Sequence, residues 1–114
     1  MTYTNEVKQK LVGVSAQTLA AHGAVSSETA IEMARGVRAR TGSDIGISAT
    51  GIAGPGGGTD ETPVGTVYLG ISTKDGEGYR KLSLSSRRSR EFIRIVAATN
   101  AYDMVIKYIT LGKI

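Results

Sequence analysis

Residues 45–59 read Ile45-Gly46-Ile47-Ser48-Ala49-Thr50-Gly51-Ile52-Ala53-Gly54-Pro55-Gly56-Gly57-Gly58-Thr59. The apolar run Ile45–Ala49 has the character of a buried strand, and the glycine-rich stretch behind it reads as a turn at that strand's end. In α/β proteins such a turn is where phosphorylated ligands bind. Five glycines between Gly51 and Gly58 allow positive φ angles and a close approach of backbone to ligand. Successive N–H groups in such a turn form an anion-binding nest, and Pro55 fixes one φ in its middle. The chain continues Asp60-Glu61-Thr62-Pro63 into a second strand beginning Val64-Gly65-Thr66-Val67. A strand after the loop, rather than a helix, excludes both the P-loop and the dinucleotide fingerprint. What remains open is a ligand loop or a long connection between two strands.

Working outward, Ser26 and Ser27 suit the cap of a helix that carries Glu28 in its first turn. Ala30, Met33, Ala34 and Val37 form its apolar stripe, and it should end near Thr41-Gly42. Two shorter helices are expected before it, over Asn5–Leu11 and Ser15–Ala21, with a turn at Gly13; His22-Gly23 closes the second. Beyond the loop, the strand over 64–73 should turn at Lys74-Asp75-Gly76-Glu77-Gly78 and return as Tyr79–Leu84, an antiparallel hairpin. A last helix is expected from about Ser89 to Leu111. Ile93, Val96, Ala97, Met104, Val105, Tyr108 and Ile109 are assigned to its sheet-facing stripe. With 114 residues and 40% hydrophobic content, this is one domain, 1–114, with one modest core.

The chain has no cysteine, which excludes disulfides, thiolate zinc sites and a cysteine nucleophile. No apolar run suits a membrane span and no leader is evident, so a cytoplasmic location is expected. The net charge is +4, with Arg87, Arg88, Arg90 and Arg94 bunched together, which raises nucleic acid as a partner. One Phe and no Trp leave no base-stacking platform, so no nucleic acid is expected; a phosphate-bearing small molecule explains the arginines equally well. The nearest approach to a nucleophile elbow, Gly46–Gly51, has one residue too many after Ser48, which reads instead as a small buried strand residue. His22 is the one histidine and reads as a helix-end residue; with scattered carboxylates it offers no metal site, and neither metal nor cofactor is expected. Asp60 and Glu61 are of a type that orients a ribose or holds Mg²⁺, but a solvated loop tip is the better reading. Tyr3 at a strand end and Lys8 in the first turns of the next helix can face one another, where a lysine lowers a hydroxyl's pKa or acts as a base, although on spacing alone a surface lysine is the simpler reading.

The string Thr50–Thr59, followed by Pro63-Val64-Gly65-Thr66-Val67-Tyr68, resembles the signature of the CinA C-terminal domain family, the nicotinamide-nucleotide amidohydrolases. Tyr3-Thr4-Asn5-Glu6-Val7-Lys8, Leu19–Ser26 and Arg90-x-x-x-Arg94 resemble further segments of that family, so the likeness covers essentially the whole chain. It implies a three-layer α/β/α sandwich with a mixed sheet and a β-hairpin. It also implies metal-free hydrolysis of the carboxamide of nicotinamide mononucleotide, a step in pyridine nucleotide recycling. By the same resemblance Tyr3 and Lys8 belong to the proton-transfer machinery and Asn5 positions them. Thr50, Gly51, Gly54, Gly56, Gly57 and Thr59 line the nucleotide site. Arg90 contacts the phosphate, and Arg94 is equally able to pair with a carboxylate. The family's Glu-Ser-x-Thr-Gly-Gly run, whose serine is the expected nucleophile, has no counterpart in these residues. A domain without its N-terminal strand and helix is therefore expected, with an unprotected sheet edge and a tendency to homo-oligomers. The alternative to the enzyme is a catalytically silent nucleotide-binding fragment of the same domain.

Overall fold

A computed structural model describes residues 13–114; the expected helix over Asn5–Leu11 lies outside them. The described elements run α1 (Ala16–His22), α2 (Ser27–Thr41), β1 (Ile45–Gly51), β2 (Thr66–Thr73), β3 (Gly76–Ser83) and α3 (Arg90–Leu111). Each helix begins on a serine whose hydroxyl accepts an N–H of the first turn. Ser15 takes that of Thr18, Ser26 that of Thr29 and Ser89 that of Phe92. Each ends at a glycine of positive φ: Gly23, Gly42 and Gly112.

The strands form a sheet in the order β1-β2-β3, antiparallel at both pairings. The mixed sheet expected from the family resemblance is thus seen here only in its antiparallel part. β2 is central and buried on both faces, all but Tyr68 of its residues being inaccessible. Its two faces are built differently. Val67, Leu69 and Ile71 point one way and pack with Ile93, Ala97 and Met104 of α3, joined by Ile45, Ile47, Leu82 and Tyr108. Gly70 and Ser72 point the other way, with Gly46 and Ser48 of β1 beside them, and α2 lies directly on these small residues. A Cβ at Gly70 would stand 2.2 Å from the Ala30 carbonyl oxygen, and one at Gly46 2.1 Å from that of Ala34. The result is a three-layer α/β/α arrangement, α2 and α3 on opposite faces of the sheet.

Three expectations change. The second strand starts at Thr66 rather than Val64, because Gly65 holds a φ of 97° and its N–H turns to Ile52. The hairpin turn is two residues, Lys74-Asp75, since Thr73 pairs with Gly76; Thr73 Oγ1 donates to the Gly76 carbonyl and accepts the Asp75 N–H. Gly78, read as turn, is a strand residue against which Ile114 packs; a Cβ there would meet it at 2.8 Å. Third, Ile109 does not face the sheet. It is 66% exposed, because sixteen helical steps from Ile93 carry it to the opposite side of α3.

Tertiary polar contacts fasten the layers. The carboxylate of Glu77 on β3 takes two hydrogen bonds from Arg35 of α2, at 2.8 and 2.7 Å, and one from Ser72. Arg80, facing the other way from β3, donates to the Asn100 side chain and to Asp103 of α3. Glu32 of α2 accepts the Ser15 N–H and the Thr18 hydroxyl, tying α1 down. Among the described residues no helix is long and apolar enough to cross a membrane.

Candidate functional site

The loop leaving β1 is framed before it becomes glycine-rich. Ile52 N–H donates to the Thr66 carbonyl, and Gly65 N–H returns to Ile52 at 2.7 Å, so the strand ladder closes the base of the loop. Gly51 is glycine because β2 crosses beside it: a Cβ would lie 2.8 Å from the Thr66 oxygen. Gly54 is buried with φ 78°, and a Cβ there would strike Val64 at 2.6 Å. The Gly54–Pro55 peptide is cis. Gly58 is bounded likewise, 2.7 Å from the Val64 nitrogen, and Gly57 needs its φ of 93°. Gly56 differs from all of these. Its φ is ordinary and nothing stands within 4 Å of where a Cβ would be. At the far end, Thr59 and Thr62 close a small turn on each other, backbone to backbone and Thr62 N–H to Thr59 Oγ1.

Arg90, the first residue of α3, reaches across 36 positions of sequence and donates from Nη1 to the Gly54 carbonyl at 3.1 Å. One of its five N–H donors therefore braces the loop, whatever else the guanidinium holds. One turn on, Arg94 lines a hollow of about 130 Å³ together with Ala49, Gly51, Ala53, Val67, Ile93 and Ala97. Arg90 and Arg94, four residues apart on one face of α3, thus both meet the segment Gly51–Gly54. Arg88 is stacked on Phe92, 4.7 Å from the ring centre.

The hydroxyls at the end of β1 are engaged. Thr50 Oγ1 donates to the Ala24 carbonyl at 2.7 Å and Ser48 Oγ to that of Ala30 at 2.5 Å, both buried under the start of α2. Thr50 therefore holds the α1–α2 junction to the sheet. His22 lies at the end of α1, 3.7 Å from Glu28, while the cap hydrogen bond is made by the Gly23 N–H to Leu19. Asp60 and Glu61 are exposed at the loop tip. Tyr3, Asn5 and Lys8 lie outside the described residues. The structure thus brings Gly51, Gly54, Arg90 and Arg94 together, puts Gly56 and Gly57 on the open part of the loop, and sets Thr59 apart in its own turn. The hollow under Arg94 was not legible in the sequence; its signal is the run of small residues Ala49, Gly51 and Ala53 opposite Ala97.

Away from the loop, two carboxylates are held by short pairs. Arg35's hydrogen bonds hold the Glu77 carboxyl below the usual range, against the upward effect of burial. Burial likewise works upward on Glu32, but the hydrogen bonds from Thr18 and Ser15 outweigh it and the carboxyl is lowered.

The profile of the CinA C-terminal domain matches residues 1–109. A Caldanaerobacter subterraneus protein named for competence-damage inducibility is 52% identical over 109 residues, which are 96% of this chain and 26% of that protein. A CinA-like protein of Shewanella amazonensis is 50% identical over 105 residues, 92% of this chain and 24% of the other. The chain thus spans about a quarter of the curated relatives it matches. Among solved structures, the competence/damage inducible protein CihA of Agrobacterium tumefaciens superposes with a TM-score of 0.88 at 39% identity, over 92% of this chain and 64% of that one. The competence damage-inducible protein A of Klebsiella pneumoniae gives 0.89 at 31% identity, over 98% and 68%. On the profile match and these likenesses together, the chain belongs to the CinA C-terminal domain family.

Proposed function

We propose that the domain to which these residues belong hydrolyses the carboxamide of nicotinamide mononucleotide, giving nicotinic acid mononucleotide and ammonia. The observation that carries this reading is the braced loop. A glycine-rich segment at the end of β1 is fixed at its base by the strand ladder and at Gly54 by Arg90, and leaves Gly56 and Gly57 open to a ligand. Membership of the family supports the choice of substrate. In this reading the loop N–H groups and the arginines receive the nucleotide phosphate. A hydroxyl attacks the amide carbon, its proton passes to the Tyr3 and Lys8 pair, ammonia leaves, and water then frees the acid. Asn5 holds that pair in place.

A second reading is favoured by the two engaged hydroxyls. Ser48 and Thr50 are buried and bonded to backbone carbonyls, of Ala30 in α2 and of Ala24 in the α1–α2 junction, so neither is set up as the nucleophile. A chain limited to these 114 residues then serves as a nucleotide-binding module. Ammonia release from nicotinamide mononucleotide, measured for the 114-residue chain and for a version extended with a Glu-Ser-x-Thr-Gly-Gly segment, separates the two. Turnover by the extended protein alone is the expected result. Binding of the nucleotide with no turnover in either supports the module, and neither binding nor turnover overturns both.

A further inference from the structure

Past the end of α3 the chain turns and builds a hollow that the glycine loop does not share. Gly112 ends the helix at a φ of 68°, and Ile114 comes to lie on Gly78 of β3, where a Cβ would meet its Cγ2 at 2.8 Å. Ile114 thereby walls a hollow of about 200 Å³ between β3 and α3, lined also by the buried Ile71 and Met104 and by Arg80, Lys107 and Lys113. An apolar floor with a few polar groups converging on it is the make-up of a small-molecule site. Met104 lies about 15 Å along α3 from Arg94, and the hollow beneath Arg94 shares no residue with this one.

The cations here are only partly used. Lys107 and Arg80 both donate to one oxygen of Asp103, Oδ2, at 3.1 and 2.9 Å. Arg80 makes its hydrogen bonds, to Asn100 and Asp103, from Nη1 alone. Its Nε and Nη2 edge is a fork that a carboxylate fits with two parallel hydrogen bonds. That edge has no partner among the described residues, and neither has the Lys113 ammonium. With Asp103 counted, and in the 114-residue chain the carboxylate of Ile114 as well, the cations remain in excess. The complement of the rim is therefore an anion, and that of the floor an apolar body. A cavity of about 150 Å³ holds benzene, so this one has room for a single ring with a carboxylate attached. We propose that the hollow binds a small ring-bearing monocarboxylate, its carboxylate held by Arg80 and Lys113 and its ring laid on Ile71, Met104 and Ile114. The site uses no residue of the glycine loop and so stands independently of the nucleotide reading.

Benzoate is the probe, titrated into the 114-residue chain and followed by NMR. Saturable shifts are expected at the Met104 methyl and at the Gly78 and Lys113 amides, and none at Gly54 or Gly56, with a Kd of about 1 mM or tighter. Benzamide keeps the ring and loses the charge, and inorganic phosphate keeps the charge and loses the ring. Each should bind at least about fivefold more weakly than benzoate. Lys113→Glu, beyond the helix end, should weaken benzoate binding at least about fivefold. Gly78→Ala should do so by another route, because the nearest atoms that its methyl meets all belong to Ile114, so the wall moves and the strand stays. Lys113 and Ile114 are exposed, and circular dichroism of both variants should match wild type. Absence of saturable shifts at about 20 mM benzoate overturns the proposal, as do shifts confined to the glycine loop. So does benzamide or phosphate binding as tightly as benzoate, or Lys113→Glu binding benzoate unchanged.

Discussion

The two faces of the central strand β2 are both buried, by opposite means. Against α3 the strands present Val67, Leu69 and Ile71, and the layers are held apart by side-chain volume. Against α2 they present Gly46, Gly70, Ser48 and Ser72, and the helix backbone rests on the strand backbone, with Ser48 hydrogen-bonded to its Ala30 carbonyl and Thr50 to the Ala24 carbonyl of the α1–α2 junction. The aliphatic face is an interlocking of flexible parts; the small-residue face is a contact of rigid ones. The glycine loop starts where β1 ends, and Thr50 and Arg90 anchor that start, one from each face of the sheet. The rigid face should therefore set the position of the site, and the aliphatic face most of the burial energy.

Substitutions on neighbouring residues of β2 test this difference most strongly. Gly70→Ala drives a methyl to 2.2 Å from the Ala30 oxygen and 2.5 Å from its carbon. Neither backbone atom yields without moving α2, so a loss of about 3 kcal/mol or more is expected in urea unfolding. Leu69→Ala, one residue away on the other face, removes a fully buried side chain and should cost about 2–5 kcal/mol. The two should differ in kind. Leu69→Ala should leave the separation of α2 from the sheet unchanged, while Gly70→Ala should shift it, which amide chemical shifts at Ala30 and Ala34 would report. Equal behaviour of the two variants would remove the distinction between the faces.

Smaller effects refine it. Ser48→Ala deletes one buried hydrogen bond to Ala30, a carbonyl already within the helix, and should cost about 1 kcal/mol by thermal or urea unfolding. The Arg35–Glu77 contact ties α2 to the outer strand and adds a pH dependence. Because Glu77 is lowered from 4.5 in the folded protein, its contribution is fully present above that value and is lost as pH falls through the folded-state pKa. In Glu77→Gln the stability difference from wild type, about 1 kcal/mol at neutral pH, should shrink as the pH is taken below about 4. A difference that persists at pH 2 would mean that packing, not charge, holds α2 there.

These faces were unequally visible in the sequence. Helix limits were legible to within a residue because Ser15, Ser26 and Ser89 start them and Gly23, Gly42 and Gly112 end them, and capping chemistry is local. The hairpin was read too loosely because Gly76 and Gly78 look like turn residues, whereas Gly78 is small to admit Ile114. Ile109 was assigned to the wrong side of α3 because a helix apolar on two sides offers periodicity no single stripe to select. At the site, the loop and Arg90 were legible as types of residue, but their contact, Arg90 to Gly54, spans 36 positions and follows only from the packing of α3. Thr50 was assigned to the nucleotide site by the family resemblance; the bond of its hydroxyl to the Ala24 carbonyl was not legible, because that partner is a backbone group that no side-chain pattern announces.

The smallest stability effect is expected at Gly56, and it bears most directly on function. The other four loop glycines each have a structural reason: close approach of β2 at Gly51, Val64 beside Gly54 and Gly58, and positive φ at Gly54 and Gly57. Gly56 has none, since its φ is ordinary and the space beside it is empty. Gly56→Ala should therefore leave stability within about 0.5 kcal/mol, or raise it slightly by restricting the unfolded chain. If the loop receives a ligand at its open side, that same methyl occupies ligand space, and nucleotide affinity, read by calorimetric titration, should fall about tenfold or more. Gly57→Ala would weaken binding and folding together, because it strains the backbone at φ 93°. Loss of binding without loss of stability, at Gly56 alone, is the signature of a ligand loop; unchanged binding there would make the segment a long connection between two strands.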